Sequence, residues 1–288
     1  MNVLETDVLS LLNEARDGLR NAGIESAETE AEQMLLAASG LGRAELFGRA
    51  QQIPEKVAGA FLSMVERRLD REPLQYITGF AHFRRLDLQV GPGVLVPRPE
   101  TEILVEAALG HISGIEEPVV ADICTGSGAI AIAIATEHPG STVYATDLSA
   151  EALRWARENV KALGVPDVRV LHSDLLQSLP STLEQKFDLV AANPPYLDEE
   201  TIAECPPEIR VHEPSLALFG GGDGAELSIR VARDAARWLK PDGWLVMETS
   251  PRLAARLSEV LETRFADVAV LPDLAGRERI VEGRLPSR

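Results

Sequence analysis

The spacing of hydrophobic residues changes character twice along this chain. Up to about residue 75 it is helical. Leu4, Val8, Leu11, Leu12, Ala15 and Leu19 recur at three- and four-residue intervals before Gly23. Ser26 stands where it can cap a second helix carrying Met34, Leu35 and Ala38, which Gly40 closes. Pro54 opens a longer one with Val57, Phe61, Met64, Val65 and Leu69 on one face. Residues 1–75 are thus expected to form a small helical bundle. From 76 to 97 the period becomes two: Leu86, Leu88 and Val90 alternate with Arg85, Asp87 and Gln89, and Gly91-Pro92-Gly93 turns the chain before Val94-Leu95-Val96. This predicts a β-hairpin linker.

From residue 98 onward short apolar runs alternate with helical patterns. Pro97-Arg98-Pro99-Glu100-Thr101-Glu102 starts a helix and gives it a stiff entry, able to place Arg98, Glu100 or Thr101 beside a ligand. Strands are expected at 119–123, 142–145, 168–171, 187–190 and 244–247, with helices at 129–135, 151–163, 225–239 and from Pro251 to about Arg264. The alternation implies an α/β fold: a Rossmann-like, mostly parallel sheet with helices on both faces. The last two runs, Val268-Ala269-Val270-Leu271 and Arg279-Ile280-Val281, are joined by a link too short for a helical crossover, so a C-terminal antiparallel hairpin ends the sheet. Residues 197–224 carry no periodic pattern. So long a loop is usually functional, and Glu213-Pro214 with Gly220-Gly221-Gly222 suggests a lid over substrate.

Composition narrows the partners. With 288 residues, 45% hydrophobic and 25% charged, the chain has enough apolar content for two modest cores. A formal charge of −17 and a pI near 4.8 argue against a broad grip on a phosphate backbone. The helical region itself has eight Lys and Arg against thirteen Asp and Glu. Cys124 and Cys205 lie far apart without metal-ligand spacing, which implies a reducing compartment and no zinc site. The acidic start Met1-Asn2-Val3-Leu4-Glu5-Thr6-Asp7 lacks a signal-peptide pattern, and no long apolar run follows, so a cytoplasmic protein without membrane or nucleic-acid partners is expected.

Two stretches carry chemistry. Asp122-Ile123-Cys124-Thr125-Gly126-Ser127-Gly128 joins the 119–123 strand to its helix; two glycines let the backbone approach a ligand and the helix start offers free N–H groups. Asp147 ends the next strand, about 20 residues on, where a carboxylate can accept both hydroxyls of a ribose. Asp174 follows the third strand, toward an adenine edge. The spacing also fits NAD. Against that stand the acidic Asp122 before the loop, which suits an ammonium and a sulfonium better than a pyrophosphate, the lack of a following Arg or Lys, and the closing hairpin. S-adenosylmethionine is therefore the expected cofactor. The second stretch, Asn193-Pro194-Pro195-Tyr196, ends the 187–190 strand, where open α/β sheets keep their chemistry. It offers acceptors on a nearly rigid backbone, suited to holding an –NH2 group, although Asn and Pro also make ordinary turns.

Together with Glu72-Pro73-Leu74-Gln75-Tyr76-Ile77-Thr78-Gly79, the 96–102 segment, and Glu213-Pro214 with Ala217-Leu218, these motifs make nearly the whole chain resemble the peptide chain release factor glutamine N5-methyltransferase (PrmC/HemK) family. The resemblance implies methyl transfer to the side-chain amide of the Gln in the Gly-Gly-Gln motif of class 1 release factors. It places the methionine part of the cofactor against Cys124, Thr125, Gly126, Ser127 and Gly128, the ribose on Asp147, and the adenine beside Asp174 and Leu175, with Asn193 also among the cofactor contacts. The substrate amide falls at Asn193, Pro194, Pro195 and Tyr196, with Tyr196 packing on its flat face. It also divides the chain into a substrate-recognition domain at 1–75, the linker at 76–97 and the methyltransferase domain at 98–288. No His or carboxylate near the motif presents itself as a general base; His212 is the nearest imidazole in sequence. Two departures stand out. The family usually has Gly at the position of Cys124, and Ile-Gly where this chain has Thr249-Ser250. The competing activities are a nucleic-acid amino methyltransferase, which also takes a planar –NH2, and a non-catalytic release-factor-binding protein of the same fold.

Overall fold

The computed structural model describes residues 5–48 and 52–287, which form two compact units: one of residues up to Phe80 together with Pro206–His212, the other of Ala81–Cys205 and Glu213 onward. The expectations for Met1 to Leu4 lie outside the described residues.

The first unit begins with β1 (Glu5–Asp7), followed by α1 (Val8–Asn21), α2 (Ala27–Ser39), α3 (Arg43–Gly48), β2 (Gln52–Pro54), α4 (Glu55–Leu69) and α5 (Leu74–Thr78). β1 and β2 pair antiparallel, bringing Thr6 opposite Ile53. The helical periodicity produces the expected core: Leu11, Leu19, Met34, Leu35, Phe61 and Val65 are buried together. Capping differs from expectation. Asp7 caps α1 by accepting the Ser10 N–H at 2.8 Å, whereas Ser26 makes no cap bond and its hydroxyl goes to Glu30. Arg68 is buried and donates to Glu30 Oε2 at 2.6 Å and to Glu208 Oε1 at 3.0 Å. Arg71 also donates to Glu208, and these pairs attach the 206–212 segment to the helical unit. The 197–224 stretch is accordingly more structured than its sequence pattern: it contains a short helix, and its middle belongs to the helical unit.

The second unit opens with the hairpin β3 (Phe80–Phe83) and β4 (Leu86–Gln89). Its turn is Arg84-Arg85, with Arg84 at φ 53°, and 94–96 is not a strand. Gly91-Pro92-Gly93 instead passes tightly over a later helix: a Cβ on Gly91 would lie 2.5 Å from the Trp155 ring. Then follow α6 (Thr101–Ile112), β5 (Val119–Ile123), α7 (Ala129–Glu137), β6 (Thr142–Asp147), α8 (Ala150–Leu163), β7 (Val168–His172), β8 (Phe187–Ala192), α9 (Glu199–Glu204), α10 (Glu226–Trp238), β9 (Leu239–Glu248), α11 (Pro251–Glu262), β10 (Ala266–Pro272) and β11 (Glu278–Arg284).

The seven-stranded sheet runs in the order β10-β11-β9-β8-β5-β6-β7. Strands β9 to β7 are parallel, and β11 enters antiparallel between β10 and β9. One face packs on α6 and α7, whose apolar run Ala129 to Ile134 is buried throughout; the other packs on α10 and α11. Strand order reverses on either side of β5, where an open sheet leaves a crevice. Ile123 is in register with Ala192 on β8 and Thr146 on β6, and Ala192 with Met247 on β9. The next residues of those four strands, Cys124, Asn193, Asp147 and Glu248, therefore emerge at one level.

Candidate functional site

At the carboxyl ends of these strands lies a cavity of about 310 Å³, within the size range of small-ligand sites. Cys124, Thr125, Gly126, Ser127, Asp147, Asp174, Leu175, Asn193 and Pro195 all line it. Gly128, Pro194 and Tyr196 do not. Gly128 forms the N-cap of α7 at φ 85°, and a Cβ there would press on Ile132 at 3.1 Å.

The glycine loop is held from several sides. Thr125 N–H donates to Thr146 O at 2.9 Å, Gly128 N–H donates to Thr125 O at 2.9 Å, and Gly126, at φ 58°, donates its N–H to Asp147 Oδ2 at 2.9 Å. Asp147 Oδ1 accepts the Ser149 N–H at 2.8 Å. Burial raises the Asp147 carboxyl above the usual aspartate range, against the backbone N–H groups of Ser149, Gly126 and Leu148. Each oxygen keeps a lone pair for a ligand hydroxyl. Asp122 behaves differently from expectation. It is fully buried and absent from the cavity wall, and its Oδ2 accepts from Thr125 and, at 3.1 Å, from Ala131 N–H. It organises the loop from below rather than facing a cationic ligand. Its Oδ1 has no partner among the described residues, and burial lifts its pKa to about 7.

Asn159 was not anticipated. From the buried face of α8 it donates to Ser127 O and Gln89 O, both at 3.0 Å, and accepts from Gln89 N–H at 2.7 Å, fastening the loop to β4. The available signal was a polar residue in helical phase with the buried Ala152 and Ala156. Arg230 of α10 was missed too: it holds Asp174 through both carboxylate oxygens, at 2.9 and 2.8 Å, at the cavity edge.

The stiff 97–101 entry places Arg98 and Thr101 on the cavity wall, while Glu100 turns to Arg277. Glu213 supports that wall: it is buried, accepts from Arg98, and takes the Val96 N–H at 3.3 Å. Asn193 follows β8 and donates Nδ2–H to Thr101 Oγ1 at 3.1 Å. The backbone of Pro195 and Tyr196 rests on the glycine segment. A Cβ on Gly220 would lie 2.5 Å from Pro195 O, and Leu197 exchanges bonds with Leu218 and Gly220 at 3.0 and 2.9 Å. These glycines thus brace the Asn-Pro-Pro-Tyr turn, while Pro214, Leu216, Ala217 and Phe219 add to the cavity wall. Tyr196 does not reach that wall; its hydroxyl donates to Glu248 Oε1 at 3.2 Å, and burial with the Glu248 charge raises its pKa. A carboxylate does therefore stand near the motif, but Glu248 is behind it, buried and committed to Thr101 and Tyr196. His212 belongs to the helical unit, with Nε2 3.3 Å from Asp70 O.

The backbone bears on the two family departures in opposite ways. Cys124 sits at φ 60°, the left-handed region that favours Gly. Ser250 is the N-cap before Pro251 at φ −81°, where no glycine is required.

Two acceptor carboxylates, a glycine loop and a largely apolar wall suit a nucleoside. The charged side chains at the wall, Arg98 and Arg230 against Asp147, Asp174 and Glu226, form no cationic cluster for a pyrophosphate. With β11 antiparallel beside β9, this makes the unit an S-adenosylmethionine-dependent methyltransferase. Residues 10–79 match the PrmC N-terminal domain and residues 100–206 the methyltransferase small domain. The chain is 41% identical to the release factor glutamine methyltransferase of Streptomyces coelicolor, over 99% of each chain. It is also 41% identical to that of Deinococcus radiodurans, over 95% of this chain and 97% of the other. It belongs to the release factor glutamine methyltransferase family. Among solved structures, the hMettl16 catalytic domain shares the fold with a TM-score of 0.56 at 18% identity, covering 82% of this chain and 84% of that one. A Pyrococcus furiosus methyltransferase aligns with a TM-score of 0.50 at 20% identity, over 70% and 90%. Among the described residues no helix is long and apolar enough to cross a membrane.

Proposed function

We propose that this chain methylates the side-chain amide nitrogen of the Gln in the Gly-Gly-Gln motif of class 1 peptide chain release factors, in the cytoplasm, as part of translation termination. The observation that carries the proposal is the presence of Asn193 on the same cavity wall as the glycine loop and Asp147. In this reading Cys124 to Ser127 hold the methionine part of the cofactor, with Gly128 capping α7 behind them, Asp147 holds the ribose, and Asp174 and Leu175 the adenine. The helical unit recognises the release factor.

An amide nitrogen is a weak nucleophile because its lone pair is delocalised into the carbonyl. Asn193 Oδ1 accepts one N–H of the substrate amide, which orients the group and raises electron density at nitrogen, while Pro194, absent from the cavity wall, stiffens the turn that carries Asn193. The bound cofactor supplies a methyl group on a sulfonium, a good leaving group. The rest is placement, which is worth about 7–11 kcal/mol when reacting groups are well aligned. Leu216, Ala217 and Phe219 on the wall exclude water, and Tyr196 steadies the turn from behind through Glu248. No group of the turn acts as a base; the surplus proton leaves to water.

The test is labelled S-adenosylmethionine offered with a release factor, its Gln→Ala variant, and DNA. Label on the intact release factor alone is the expected result. Label on DNA would indicate a nucleic-acid amino methyltransferase, and no label on any of the three a binding protein without turnover.

A further inference from the structure

Asn193 can serve as an acceptor for the substrate amide only if its own amide is the right way round. Rotated by a half turn, it would present –NH2 to –NH2. The structure contains a buried chain of hydrogen bonds that decides between the two. Thr101, the first residue of α6, is 4% exposed, and Glu248, the last of β9, is 1% exposed. Thr101 Oγ1 donates to Glu248 Oε2 at 2.6 Å, and Tyr196 donates its hydroxyl to Glu248 Oε1 at 3.2 Å. A threonine hydroxyl has one proton, and Glu248 takes it as a carboxylate: burial raises the Glu248 carboxyl, and the Thr101 hydroxyl, the Arg279 charge and the Tyr196 hydroxyl act against that shift. With that proton spent on Glu248, Thr101 shows only lone pairs to Asn193, which must answer with Nδ2–H, as it does at 3.1 Å. Oδ1 is left on the other side of the amide.

We propose that Thr101, backed by Glu248, is a positioning residue that fixes the orientation of the Asn193 side chain, so that its oxygen rather than its –NH2 meets the substrate. The proposal rests on the glutamine-methyltransferase reading of this site. Neither Thr101 nor Glu248 touches the transferred methyl; they act through Asn193. The arrangement also explains why the start of α6, the end of β8 and the end of β9 converge: each supplies one member of the chain, with Tyr196 as a second donor that keeps both oxygens of Glu248 occupied.

The discriminating pair is Thr101→Val, which keeps the shape and removes the hydroxyl, and Thr101→Ser, which keeps the hydroxyl. In Thr101→Val a methyl group faces Asn193, whose half-buried –NH2 loses its acceptor and turns toward the cavity, into the wrong orientation. Turnover of a release factor should fall about 10- to 100-fold, the range given by leaving one half-buried polar group without its partner. The Kd for S-adenosylmethionine and the KM for release factor should stay within about threefold. Thr101→Ser should restore kcat to within about threefold of the parent. A Thr101→Val enzyme as fast as the parent would overturn the proposal, as would equal losses in both variants accompanied by weaker cofactor binding, which would show a structural role. A second readout needs no turnover: in the 15N spectrum of the parent protein, one Asn193 side-chain proton should exchange slowly with solvent, and Thr101→Val should abolish that protection. If the parent protein does not methylate release factor yet shows this protection, the functional reading fails and the relay stands; rapid exchange of both Asn193 protons in the parent would refute the relay.

Discussion

Replacing Asp147 by Ala tests the cofactor geometry most sharply, because in the proposed reading one carboxylate serves both the protein and the ligand. Its two oxygens accept backbone N–H groups of Gly126 and Ser149 at 2.9 and 2.8 Å. The remaining lone pairs are assigned to the two ribose hydroxyls. A hydrogen bond to a charged group is worth about 1.5–3 kcal/mol, so two set a ceiling of about 3–6 kcal/mol. Water entering the space left by truncation replaces part of this, which leaves an expected loss of about 2–4 kcal/mol, or ~30- to ~1,000-fold in Kd. Isothermal titration calorimetry with S-adenosylmethionine measures it, with a melting curve to check that the fold survives. Because burial raises the Asp147 carboxyl in the free protein, the parent should also lose affinity on acidification at a higher pH than an ordinary aspartate would dictate. A variant Kd within threefold of the parent, with an intact melting transition, would refute the ribose assignment.

Asp122 gives a pH test of the buried floor of the loop. Its folded pKa of about 7 lies above the 3.8 of an ordinary aspartate, so its contribution to stability is fully present below 3.8 and is lost as pH rises through 7. Asp122→Asn, neutral at every pH, should therefore gain on the parent as pH rises from 4 to 8, by up to about 1.4 kcal/mol per pH unit inside that window. Urea unfolding at several pH values reads this, and parallel profiles would contradict it. Cys124→Gly relieves left-handed strain of about 1–2 kcal/mol while adding about 0.4–1 kcal/mol of unfolded-state entropy, so a net stabilisation of about 0.5–1 kcal/mol is expected in denaturant titration. A clear destabilisation would mean that the packing of the Cys124 side chain outweighs its backbone strain.

Much of the fold was legible because period follows burial. The parallel strands buried on both faces read as apolar runs, and α10 and α11 read as amphipathic helices. What period cannot convey is which segments meet. Gly91-Pro92-Gly93 carries every local mark of a turn, yet its glycines are needed for close passage over Trp155 and Glu151. Likewise Glu213 and Asn159 act on residues remote in sequence: Glu213-Pro214 stands out as a motif without revealing that Arg98 is its partner, and Asn159 differs from a surface polar residue only in its phase with apolar neighbours. Residues 206–212 show no pattern because their structure is fixed by Glu208 pairing with Arg68 and Arg71 rather than by their own amphipathicity. At the site, the loop glycines, Asp147 and Asn193 could be picked out from spacing. The tasks of Asp122, which supports the loop, and Tyr196, which reaches Glu248, required the hydrogen-bond partners.

The central claim is that Asn193 serves the methyl acceptor while the glycine loop and Asp147 hold the cofactor. The most direct measurement is Asn193→Ala, followed in parallel by S-adenosylmethionine calorimetry and by methyl transfer to a release factor. Methyl transfer should fall below detection with cofactor Kd within about threefold of the parent. Comparable losses in both, or transfer that persists, would contradict that division of labour.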